Sequence, residues 1–83
     1  MLDIFEVGRQ IAQHRRQARL TQEELAGRAR VSRATIAALE RGTARELGFR
    51  KVTQILGVLQ LDLRITTANT SRPTLEDLRE EKP

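Results

Sequence analysis

Apolar residues recur every three or four positions from Ile4 to about Leu59, and every second position from Leu59 to Ile65. The first period is that of helices facing a core, the second that of a half-buried strand. Hydroxyl and acidic residues mark where the helical segments begin. Asp3 with Glu6 and Thr21 with Glu24 have capping-box spacing, and Ser32 is a third N-cap. The first helix is expected to run from residue 4 to about 19. It places Ile4, Val7, Ile11 and His14 on one face and Arg9, Gln13, Arg16 and Gln17 on the other, solvated face. The second covers 22–29, with Leu25, Ala26 and Ala29 inward, and the third 33–41, with Ile36 and Leu39 inward and Gly42 as its stop. A fourth fits 49–59, with Gly48 as N-cap, a Leu47–Val52 staple, and Val52, Ile55, Leu56 and Leu59 as its stripe.

The second and third helices are too short to persist alone in water, so packing against one another and against the first must hold them. The run "LQLDLRIT" sets Leu59, Leu61, Leu63 and Ile65 against Gln60, Asp62, Arg64 and Thr66. It is the one convincing strand in the pattern, and a lone strand leaves its backbone groups without partners. A second copy of the chain, related by a two-fold axis, would supply them and make Leu59, Leu61, Leu63 and Ile65 the dimerisation residues. The other arrangement is an extended arm lying on its own domain.

A length of 83 residues allows one domain with a marginal core. The absence of Cys and the single His leave neither disulfides nor a zinc site to reinforce it, and no metal or other cofactor is expected. Charge changes the picture further. Residues 1–66 carry twelve basic against seven acidic side chains, almost all of the excess being Arg, whereas 67–83 is slightly acidic. Arginine's planar fork suits phosphate and guanine, so a polyanionic partner is expected. No apolar run approaches the roughly 20 residues of a membrane span, and the start lacks signal-peptide character. A cytoplasmic protein without membrane contact is the expectation. Residues 67–83, in which Thr74 caps a short segment with Leu75 and Leu78, read as a flexible polar tail on a domain of residues 1–66. An enzyme is not expected. There is no Cys, His14 has no acidic neighbour within helical reach, no phosphate-cradling glycine loop occurs, and the carboxylates are scattered on caps and exposed faces.

The stretch "LTQEELAGRARVSRATIAALERG" carries the chemistry. A helix of about eight residues, a tight corner and a Ser-capped helix make a helix-turn-helix. Ala26 lies where the two helices come closest, and Val31, Ile36 and Leu39 pin the second to the core. Its free face starts with Ser32, Arg33 and Ala34 and continues with Ala37 and Ala38. A helix fits the major groove of B-DNA, and residues at its N-terminal end reach base edges.

These residues resemble the Cro and phage-repressor (XRE) class of helix-turn-helix domains over about Val7 to Leu59. The continuation "LGFRKVTQILGVLQLDLRI" is similar to HipB-type antitoxins, in which a repressor-like domain is followed by a strand that pairs across a dimer. The resemblance implies an all-α, repressor-like bundle of four to five helices with a short C-terminal strand, 61–66, pairing across a homodimer. It implies that Ser32, Arg33, Ala34, Ala37 and Ala38 read bases, that Gln22 grips the DNA backbone, and that Arg15 and Glu40 form a structural ion pair. Physical chemistry agrees: Arg33 can fork onto guanine, and alanines can touch thymine methyls. Thr35, Arg41 and Arg45, on and just after the reading helix, are expected on the backbone with Gln22. Arg28 and Arg30 at the corner stay open, and Arg9, Arg16, Arg19, Arg50 and Lys51 are expected to be solvated surface.

Three departures stand out. Arg30 occupies a corner position where the family has Gly, which costs about 1 kcal/mol or more if the turn is left-handed. His14 replaces an aliphatic residue and is expected to be half-buried and neutral. Ala37 and Ala38 are small where readers often carry polar groups, which shifts specificity onto Arg33, Ser32 and DNA shape. The expected function is that of a repressor acting on an inverted repeat in double-stranded DNA, as the antitoxin of a toxin–antitoxin pair with a HipA-like kinase as toxin. The alternatives are a stand-alone transcriptional regulator, or an adaptor whose helical surface binds protein.

Overall fold

The computed structural model describes residues 3–67. Four helices follow in order: α1 (Ile4–Gln17), α2 (Gln22–Ala29), α3 (Arg33–Arg41) and α4 (Phe49–Val58). The tail expected over 67–83 lies, beyond Thr67, outside the described residues.

Each start is set by its cap. Asp3 accepts a hydrogen bond from the Glu6 amide (2.8 Å). The Glu6 side chain meanwhile pairs with Arg9 and Gln10 along α1. Thr21 and Glu24 form the full reciprocal box, at 3.0 and 2.8 Å. Ser32 Oγ accepts from the Thr35 amide (3.0 Å), and Gly48 caps α4 without a side-chain bond.

The four ends share one construction. In each, a residue with positive φ follows the helix, and the next amide reaches back to the carbonyl five residues earlier. These amides are Leu20 to Arg15, Val31 to Ala26, Thr43 to Ala38 and Leu61 to Leu56. Only α3 uses glycine for the left-handed residue, Gly42 (φ 82°); the others use Arg19 (φ 60°), Arg30 (φ 62°) and Gln60 (φ 60°). This closure is why α1 stops at Gln17 and α4 at Val58, slightly short of the periodic pattern.

Ile11, Leu25, Ala26, Ala29, Ile36, Leu39, Ile55 and Leu56 form one buried cluster, fringed by Val7, Val31, Leu47, Val52 and Leu59. α3 packs on both α1 and α2, and α4 packs on α2. Gly8 sets the approach of α1 to α3, since a Cβ there would overlap the Leu39 carbonyl. His14 is half-buried, and its Nδ1–H donates to the Gln10 carbonyl (2.9 Å).

No strand occurs among the described residues. The strand expected over 61–66 is not formed: residues 61–67 carry no strand pairing, which needs a second backbone segment alongside. Leu61 packs against the core, Leu63 is 37% exposed and Ile65 is 98% exposed.

Candidate nucleic-acid interface

The corner between α2 and α3 is closed by backbone geometry. Arg30 takes the left-handed conformation (φ 62°, ψ 42°), which turns the chain so that the Val31 amide bonds to the Ala26 carbonyl (3.0 Å). Val31 then packs on the core, and Ser32 begins α3 directly. The Arg30 side chain itself is exposed.

α3 buries Ile36 and Leu39 and turns its remaining surface outward. Ser32, Arg33, Ala34 and Arg41 are exposed, while Thr35, Ala37 and Ala38 are half-buried. The Ser32 and Thr35 hydroxyls are within 2.8 Å of each other, so the cap occupies both in the free protein. The first turn of α3 contains no acidic residue, so nothing opposes the positive end of its dipole. Arg45 is exposed in the connection after α3.

Behind this face, Arg15 of α1 grips Glu40 of α3 through two nitrogens, at 2.6 and 3.0 Å. A third nitrogen of Arg15 donates to the Leu20 carbonyl (2.7 Å). Both side chains are largely shielded from water. Gln22, at the start of α2, donates from Nε2 to Glu40 Oε1 (3.0 Å), so the network ties α1, α2 and α3 together. Burial pushes the Glu40 carboxyl up, but hydrogen bonds from Arg15 and Gln22 and the charges of Arg15 and Arg16 outweigh it. The carboxyl is held below its ordinary value. The bond to Glu40 raises the Arg15 pKa in turn, against the effect of its own desolvation.

Arg16, read from sequence as solvated surface, borders the same region. It lines an open trough of about 340 Å³ together with Gln22, Arg33, Ala37, Glu40 and Arg41. Its signal was hidden because Arg9 and Arg16 stand seven residues apart and so share the solvated face of α1. Only the packing of α1 on α3 separates Arg16 from Arg9, which is paired with Glu6. Leu59, Leu61, Leu63 and Ile65 lie at the other end of the chain path, after α4.

No helix of the described residues is long and apolar enough to cross a membrane, and no group of metal-ligating side chains occurs among them. No curated protein matches the chain. A helix-turn-helix family model matches residues 11–65, which takes in the second half of α1, the whole of α2 to α4 and the segment that follows. The chain belongs to the helix-turn-helix family of the Cro and phage-repressor class, a family of DNA-binding transcription regulators.

Proposed function

We propose that the protein is a sequence-specific transcriptional repressor that binds an inverted repeat as a homodimer, laying α3 of each copy in the major groove. The observation that carries this is the outward face of α3. Its N-terminal residues Ser32, Arg33 and Ala34 are uncovered, while Ile36 and Leu39 anchor its other side. In this reading Arg33 reads guanine through its fork, Ala34, Ala37 and Ala38 give apolar contact to thymine methyls, and Ser32 contributes a hydroxyl. Gln22, Thr35, Arg41 and Arg45 hold phosphates. Gln22 keeps one amide hydrogen on Glu40 and has a second to donate.

The dimer reading rests on the gradient of exposure along one side of the 59–65 alternation, from half-buried Leu59 and Leu61 to bare Ile65. A second copy pairing there covers those side chains and completes the missing ladder. Two reading helices would then stand about one DNA turn, roughly 34 Å, apart. The similarity of residues 47–65 to HipB-type antitoxins supports the narrower reading of an antitoxin that represses its own operon and binds a HipA-like kinase.

Arg33→Ala tests the reading by anisotropy titration on a duplex selected by the protein and on a random one. The expected loss is about 1–3 kcal/mol on the selected duplex and much less on the random one. Equal losses would reduce Arg33 to charge neutralisation. Equal, weak affinity of the unaltered protein for both duplexes would favour the protein-binding adaptor.

A further inference from the structure

We propose that Arg16 of α1 is a phosphate-binding residue, and that the trough it forms with Gln22 and Arg41 seats the sugar-phosphate backbone beside the groove that α3 enters. Arg33, on the trough's edge, reaches from there to the bases. The inference rests on the DNA-binding reading above and adds to it an anchor from α1.

Arg33, Ala37 and Arg41 stand four residues apart, so they form one row along α3. Arg16 from α1 and Gln22 from α2 border the same trough. Alanine in the middle of the row keeps the floor low, while arginines rise at both ends. A trough with these walls suits an extended anionic strand better than a compact ligand.

Its charge points the same way. The single carboxylate in the lining belongs to Glu40, and Arg15 and Gln22 use both of its oxygens. Arg15 therefore answers the charge of Glu40 from behind. Arg16, Arg33 and Arg41 have no ion-pair partner among the described residues. Three guanidiniums gathered round one concavity repel each other, and an anion laid between them relieves that repulsion. Guanidinium and carboxamide donors match phosphate oxygens, and phosphate contacts fix the register of a protein on its duplex. Arg16 also lies near enough to help hold the Glu40 carboxyl in its ionised form, which keeps Gln22 anchored at the rim.

The test is the salt dependence of duplex binding by the full chain, unaltered and with Arg16→Ala, Arg16→Lys and Arg9→Ala. Arg9 is the control, being on the same helix but paired with Glu6. For Arg16→Ala the slope of log K against log salt should become shallower by about 0.9 on the selected and the random duplex alike. The ratio of the two affinities should stay the same. Arg16→Lys should keep the slope, Arg9→Ala should leave it unaltered, and thermal melting should exclude unfolding in each. An unchanged slope for Arg16→Ala, in a protein that binds DNA, would overturn the inference. So would a loss confined to the selected duplex, which would make Arg16 a reader of bases. Arg16-dependent binding of inorganic phosphate with no change in the duplex slope would also overturn it, because the occupant would be a free anion. If the unaltered protein bound neither duplex, the DNA-binding reading itself would fall first.

Discussion

Arg30 shows how a single residue sets the corner on which the reading helix depends. Its left-handed backbone lets the Val31 amide close α2, and Ser32 follows at once as the cap of α3. A side chain with a Cβ in that conformation costs about 1–2 kcal/mol. The departure from glycine was visible in the sequence and so was its energetic consequence. Arg19 and Gln60, which adopt the same conformation, were not visible. Their signal is the apolar residue that follows, Leu20 or Leu61, whose amide bonds back to the helix just ended. That signal has meaning only once the helix end is known. Arg30→Gly should raise stability by about 1 kcal/mol, read as a rise of several degrees in Tm. An unaltered or lower Tm would show that the Arg30 side chain stabilises the folded chain by more than its backbone costs.

Among the elements, Gly8 and the Arg15–Glu40–Gln22 network hold α1 against the helix-turn-helix unit. Gly8 allows the two backbones to touch, and the network fixes how they are rotated. The helices themselves were readable from periodicity and caps, because hydroxyl and acidic residues at Thr21, Glu24 and Ser32 leave a local signature. The glycine contact was not, since nothing in the neighbourhood of Gly8 names Leu39 as its partner. A carboxylate held below its ordinary value stabilises the fold above that value and loses the contribution as pH falls through the lowered one. For Glu40 the ordinary value is 4.5. The stability difference between the unaltered protein and Glu40→Gln should therefore be complete above about pH 4.5 and shrink progressively below it. Urea unfolding of both proteins across that range measures it, and a difference independent of pH would show that Glu40 acts through shape and not through charge. Arg15→Ala, which strands Glu40 without its counterion, should cost about 3 kcal/mol or more.

For the whole molecule, the described fold leaves two surfaces of opposite character. The outer face of α3 with its arginine-lined trough is polar and basic, whereas Leu63 and Ile65, in the segment after α4, leave apolar side chains exposed. The alternation over 59–65 was plain in the sequence, but its consequence was not legible from one chain, because a strand is defined by its neighbour. In the proposed dimer, Leu63→Asp should convert the sedimenting species to a monomer while leaving the helical signal intact, and an unchanged dimer would remove the ribbon from the account. Charge was legible in total but not in place. Composition put the basic excess in residues 1–66, and packing decided that Arg16 belongs with Arg33 and Arg41. The most direct test of the reading face is interference by guanine methylation on a duplex that the protein selects from a random pool. N7 methylation blocks the major-groove edge that an arginine fork would use. Selection should yield an inverted repeat in which methylation of one guanine per half-site abolishes binding, with Arg33→Ala indifferent to the same modification. A pool that yields no preferred sequence, or binding that ignores N7 methylation throughout, would contradict the account.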